Sequence, residues 1–183
     1  MFTNQYLYIF SNSKFICFGE CTGITFVDST KVAVCNNKRI RNNKVFRGLA
    51  EVGKSSMGWF FGFKLHLVCN GKGELLNFCL TKGNVDGLNS NVFKILSRDL
   101  FGNLYGDKGY ISASLFEILF NEGIHWATSI RSYMKNCLMS FRGRILLRKR
   151  SVIETINDEL KHIGQIEHSR YRGTANFIIR TNA

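Results

Sequence analysis

Three side chains near the C-terminus, Arg150, Glu154 and Lys161, share one face of a segment with helical periodicity. At 100° per residue, Arg150 lies about 40° from Glu154, and Lys161 about 20° to the other side. The apolar residues of the same segment, Ile153, Ile156, Leu160 and Ile163, form the stripe expected to face a core. A carboxylate flanked by two cations suits a divalent metal held beside phosphates. Two more carboxylates, Asp28 and Asp107, each close a strand-like apolar run. Three carboxylates delivered by three separate elements are what two-metal phosphoryl transfer requires. Each also has a plainer reading: Asp28 and Asp107 as strand-end carboxylates, and Arg150–Glu154 as an i,i+4 surface pair. Asp158, four residues after Glu154, is a weaker candidate because its flanking cations fit less well.

The elements that must position these groups follow from periodicity. Gly23 to Val34 reads as a strand, with Asp28 on the Ile24/Phe26 side. Asn36 to Ser56 is polar and basic with no clear period, hence a loop or irregular insert. Trp59 to Val68 alternates as a strand. Asn70-Gly71-Lys72-Gly73 is a hairpin turn, and Glu74 to Leu80 returns as a third strand. Leu88 to Leu100 suits a helix, Asn103 to Gly106 a fourth strand delivering Asp107, and Ser112 opens a helix through Phe120. Ile124 to Ile130 is a fifth strand, followed by a basic linker and the Glu154 helix. The order βββαβαβα predicts a mixed α/β fold of ribonuclease-H-like type: a five-stranded mixed sheet with flanking helices.

The 183 residues suffice for one domain with a proper core, and 45% hydrophobic residues fit the globular class. The net charge of +12 favours a polyanionic partner, nucleic acid or an anionic membrane. Residues 38–64 carry Lys38, Arg39, Arg41, Lys44, Arg47, Lys54 and Lys64 against the single acid Glu51. Residues 131–150 carry seven more basic residues and no acid. Such clustering favours binding surfaces over evenly solvated faces. No apolar run reaches the roughly 18 residues of a spanning helix, and the aromatic-rich start lacks the marks of a signal peptide. The six cysteines form no CxxC pair, so reduced thiols in a cytosolic protein are expected.

Taken together, Val27-Asp28-Ser29-Thr30, Gly106-Asp107-Lys108-Gly109-Tyr110 and Arg150-x3-Glu154-x6-Lys161 resemble the DDE class of insertion-sequence transposases. The last is a remnant of that family's Tyr-Arg-Glu-Lys signature, with Leu147 in place of the Tyr. Gly58 to Leu67 and Gln165 to Arg170 also read like the family. The resemblance covers roughly residues 20 to 172. It divides the chain into an unrelated segment 1–20, a catalytic domain 21–172 and a tail 173–183. It implies Asp28, Asp107 and Glu154 as catalytic metal ligands for two Mg²⁺ (or Mn²⁺) ions. Arg150, Lys161, Lys108, Arg39, Arg41 and Lys44 become the DNA contacts. The implied reaction is strand cleavage and transfer at terminal inverted repeats and target DNA, in the bacterial cytoplasm on the nucleoid, with a homodimer acting on paired ends and no membrane partner. Such transposases usually have a helical region ahead of the first catalytic strand. The chain therefore reads as the core of a truncated copy, expected to bind metal and DNA weakly and to fail in transposition.

Two rival classes remain open at this level. Gly48-Leu-Ala-Glu-Val-Gly53-Lys54-Ser55 matches the phosphate-loop pattern GxxxxGK[ST], which needs a buried strand before it and a helix after it. The flanks here are polar on one side and strand-like on the other. A non-catalytic nucleic-acid-binding protein would use the basic faces alone. His66 reads as a satisfied strand residue; His125, His162 and His168 have no partner at metal-ligand spacing. The cluster Trp59, Phe60, Phe61 and Phe63 reads as core rather than a base-stacking platform.

Overall fold

Phe26 and Val27 are both fully buried, so the first strand is covered on both faces. A strand in that position reads as a continuous apolar run, as Ile24–Val27 does. The computed structural model describes residues 19–110, 112–128, 141–163 and 166. In it β1 (Ile24–Cys35) pairs antiparallel with β3 (Gly58–Asn70) and parallel with β5 (Gly102–Gly106). The other edge of β3 is shared by β2 (Glu51–Ser55) and β4 (Leu75–Lys82), both antiparallel to it. β6 (Ile124–Thr128) continues the sheet in parallel beyond β5. The spatial order β4-β3-β1-β5-β6 is the ribonuclease-H-like arrangement, three antiparallel strands followed by two parallel ones.

Helices cover the two faces separately. α1 (Ser90–Leu96) and α2 (Ala113–Asn121) bury Val92, Phe93, Leu96, Leu115 and Leu119 against Val27, Val68 and Leu104. On the Phe26 face, α3 (Phe141–Arg148) and α4 (Ser151–His162) contribute Leu146, Leu147, Ile153 and Ile156 to a core with Phe63, Leu65, Leu67 and Tyr105. Fully burying a side chain such as Ile153 contributes about 2 kcal/mol, and this burial seats α4 over the strand carrying Asp28.

The expected elements appear, with three differences. The segment 88–100 is helical only over Ser90–Leu96. Asn89 caps its start by accepting from the Asn91 amide, and the chain turns away through Asp99, whose φ is 61°. The basic linker contains α3, whose Leu146 and Leu147 give it a face to bury. The irregular insert contains a 3-10 helix, Asn37–Asn42, and the extra strand β2.

That strand removes the phosphate-loop reading of Gly48 to Ser55. Glu51–Ser55 is extended and pairs with Gly58–Gly62, and no helix follows it. The two glycines have other reasons. Gly48 has φ 81°, and a Cβ on Gly53 would sit 2.0 Å from the Gly83 carbonyl oxygen.

Asn70 builds the expected hairpin turn: its Oδ1 accepts from the amides of Lys72 and Glu74. Ser112 caps α2 through the Leu115 amide, as its position predicts. Cys21, Cys35, Cys69 and Cys79 are free thiols, and burial pushes Cys69 up to about 12 and Cys79 up to about 11. Cys17, Cys137, His168 and most of the Gln165–Arg170 segment lie outside the described residues. Among the described residues no helix is long and apolar enough to cross a membrane.

His66 is the satisfied strand residue expected, buried on β3 with Nε2 3.0 Å from Thr81 Oγ1. Burial, reinforced by Lys64, holds its pKa down at about 4, against 6.5 for an unperturbed imidazole. The unfolded chain therefore binds a proton at His66 between these values while the folded chain does not, so stability falls as pH drops through that window. The expected loss from pH 7 to pH 4 is on the order of 3 kcal/mol. Urea denaturation across that range checks it: His66→Gln should show a shallower acid loss than the wild type, and identical slopes would refute the assignment.

Candidate active site

β1 and β5 are parallel neighbours, and their register pairs Phe26 with Tyr105. Two further residues along each strand lead to Asp28 and Asp107. The two-residue side-chain period of a strand keeps both on the face that Phe26 and Tyr105 occupy. The side chains of Phe26 and Tyr105 pack with ring centroids 5.7 Å apart, fixing this lateral spacing. Asp107 is further held by its own turn, where Oδ1 accepts from the Lys108 amide at 2.7 Å.

The third carboxylate arrives from across the sheet. Arg150 is the N-cap of α4, and Glu154 lies in the helix's first turn, where the helix dipole favours an anion. Arg150 Nη2 donates to Glu154 Oε1 at 2.7 Å. The same guanidinium approaches Asp107 Oδ1 at 3.9 Å through Nη2 and Asp28 Oδ1 at 3.8 Å through Nη1. All three acidic residues singled out from the sequence thus meet at one arginine, over a sequence span of more than 120 residues.

Arg150 sits among the carboxylates, which are spread around it. Among the described residues no three His, Cys, Asp or Glu side chains are grouped closely enough to hold one metal ion. The donor chemistry nevertheless suits a hard divalent cation, since all three groups offer oxygen. Three carboxylates against one guanidinium also leave the cluster with more negative than positive charge. Asp28 is the most enclosed of the three. Burial raises its carboxyl above the usual value, and Glu154 and Asp107 push it further up. The Ser29 amide and Arg150 pull in the opposite direction without cancelling the rise.

A cleft of about 410 Å³ opens beside Asp28, Asp107 and Arg150. Ser56, from the turn between β2 and β3, and Asp86-Gly87 form its other walls. Tyr110 lines it with a buried hydroxyl, and burial raises the phenol's pKa far above its ordinary value. Glu154 lies outside the lining and reaches the cleft through Arg150.

Four of the cationic candidates are exposed and take no part in lining the cleft. Arg39 and Arg41 are exposed on the 3-10 helix, and Lys44 follows it beside a shallow groove of about 360 Å³. Lys108 is exposed next to Asp107. Lys161 stands two turns beyond Glu154 on α4 and takes no part in the ion pairs around Arg150.

Asn157 was not anticipated. Its Nδ2 donates to Asp28 Oδ2 at 2.9 Å, so α4 both supplies Glu154 and orients Asp28. One signal was visible: Asn157 is a polar residue inside the apolar stripe of Ile153, Ile156 and Leu160, and it is buried. Asp86 and Ser56 had no comparable signal, because only the fold brings those loops to the cleft, whereas Tyr110 closes the Gly106 to Tyr110 motif.

A family model described as "Transposase DDE domain" matches residues 18–174. The chain belongs to that family. Among solved structures, a piggyBac transposase synaptic complex with hairpin DNA matches with a TM-score of 0.44 and 15% identity. That match covers 64% of this chain and 25% of the other, so the chain spans about a quarter of the piggyBac transposase's length. No curated protein matches.

The DDE domain's charge balance gives a direct prediction. Because the surroundings of Asp28 disfavour its anion, Asp28→Asn should stabilise the fold at pH 7 in EDTA by on the order of 1 kcal/mol, or a few degrees in melting temperature. The gain should shrink as pH falls and the wild-type carboxyl takes up its proton. Calorimetry at pH 7 and pH 4.5 decides this, and a lower melting temperature for the variant at pH 7 would contradict the penalty assigned to the buried Asp28 anion.

Proposed function

We propose that this DDE domain cleaves and transfers DNA strands at the ends of a mobile element, with Asp28, Asp107 and Glu154 as its catalytic carboxylates. One observation carries the reading: side chains from the middle of β1, from just past the end of β5 and from α4 converge on a single guanidinium, on one face of two parallel neighbouring strands. The three would hold Mg²⁺ or Mn²⁺, with two ions expected from the reaction class. When bound, such ions activate a water or a 3′-hydroxyl and stabilise the departing oxygen.

The protein's own groups then have defined tasks. Asn157 holds one oxygen of Asp28, leaving the other turned toward Arg150. Arg150 partly offsets the carboxylates in the free protein, and with metal held by them the guanidinium would be available to a phosphate, whose geometry it matches bidentately. Lys108 and Lys161 extend the cationic surface on either side, and Arg39, Arg41 and Lys44 supply phosphate contacts at a distance. The +12 net charge supports DNA as the polyanion bound, at the element's inverted repeats and at target sites.

A second reading has an observation of its own. With Arg150 lodged among the carboxylates, the domain would bind nucleic acid without catalysing its cleavage. Nicking of supercoiled plasmid in Mg²⁺ or Mn²⁺ separates the two. The catalytic reading expects metal-dependent nicking that falls about 10³-fold in Asp28→Asn, Asp107→Asn and Glu154→Gln, with DNA retention intact. Equal, metal-independent behaviour of wild type and variants would leave the binding reading. Arg150→Ala should weaken DNA binding roughly tenfold and reduce its salt dependence by about one phosphate contact.

A further inference from the structure

Trp59 is 63% exposed, whereas Phe60, Phe61 and Phe63 beside it are buried. The aromatic cluster expected to be core is therefore core in three members and surface in the fourth. Directly opposite on β2, Lys54 pairs in register with Trp59, and its ammonium lies 5.8 Å from the ring centroid. This is the lysine of the phosphate-loop motif, which the strand geometry leaves without that role.

The pair sits close to the carboxylate cleft. Ser56, in the turn joining the two strands, lines that cleft, and Trp59 is three residues further along, within about 10 Å at strand spacing. The turn is held by its own bonds: Ser55 Oγ donates to the Gly58 carbonyl and accepts from the Met57 amide, and Gly58 adopts φ 110°. On the other side, Asn37 Nδ2 donates to the Trp59 carbonyl at 2.8 Å. That bond ties the hairpin to the 3-10 helix bearing the exposed Arg39 and Arg41. An indole that is largely exposed thus carries an ammonium over its ring, and the 3-10 helix joined to its strand bears two exposed arginines.

We propose that Trp59 and Lys54 form a stacking platform for an unpaired DNA base next to the cleft. The aromatic face takes a base of any identity, and the surrounding cations take the flanking phosphates. The density of positive charge disfavours an apolar protein patch as the occupant and favours a polyanion. The inference rests on the proposed function for DNA as the ligand, though not for cleavage. It adds that the strand near the cleft is held single-stranded, by stacking rather than by base-edge readout.

The test is fluorescence anisotropy in EDTA with labelled ten-nucleotide oligothymidine and a fully abasic oligomer of the same length and charge. Trp59→Ala should weaken oligothymidine binding about tenfold and leave abasic binding unchanged, and Trp59→Phe should lie between. Because Trp59 is exposed, both variants should melt with the wild type, and Trp59→Phe retains a flat ring should the alanine variant prove unstable. Equal losses on both oligomers, no loss on either, or no binding by the wild type would each overturn the platform. So would a wild-type dimer in sedimentation that Trp59→Ala dissolves, which would assign the face to a second copy. Plasmid nicking stays a separate readout. Base-dependent binding without nicking retains the platform and ends the catalytic reading, while nicking with unaltered Trp59→Ala binding does the reverse.

Discussion

The Arg150 guanidinium is the constraint on which the site depends. It is planar, permanently charged, and able to serve several carboxylates from one position, which a lysine ammonium does less well. Here it touches Asp28, Asp107 and Glu154 from a helix cap, and so holds together like charges that would otherwise repel. It does so incompletely. Burial disfavours the anionic form of Asp28, and Glu154 and Asp107 add to that.

Everything that brings Arg150 to the carboxylates is ordinary packing. The parallel pairing of β1 and β5 sets Asp28, within β1, and Asp107, just past β5, side by side on one face. Ile153 and Ile156 seat α4 over that same face, and the helix cap then falls beside Asp28 and Asp107. Asn157 joins the two layers with a hydrogen bond between residues 129 positions apart. Its location in the apolar stripe makes the bond part of the core, so α4 cannot rotate without losing both burial and the contact to Asp28. Positioning and stability are carried by the same helix.

The hairpin of β2 and β3 illustrates how a motif can be misread when letters are separated from backbone. Gly48 to Ser55 satisfies a phosphate-loop pattern, yet its glycines answer to a left-handed turn and to a backbone packed against Gly83. The lysine emerges on an exposed strand face beside Trp59. Nor did the local pattern separate Trp59 from its aromatic neighbours. All four belong to one apolar run, and which of them is covered depends on where the sheet ends, a property of strand neighbours distant in sequence.

From the chain alone one could read the alternation of β1, β3 and β4, the Asn70 turn, the Ser112 cap, the amphipathic stripe of α4 and the three carboxylates, because periods of 2.0 and 3.6 and capping chemistry are local. The likeness of its motifs to DDE transposases rested on the same residues. What only the tertiary structure decided is how those groups meet: the lateral register of β1 and β5, Arg150 as their common partner, Asn157 as the link to α4, and the Ser56, Asp86 and Tyr110 walls of the cleft. These are contacts between segments far apart along the chain. They are set by which apolar faces bury one another, and no short window of sequence contains both sides of that choice.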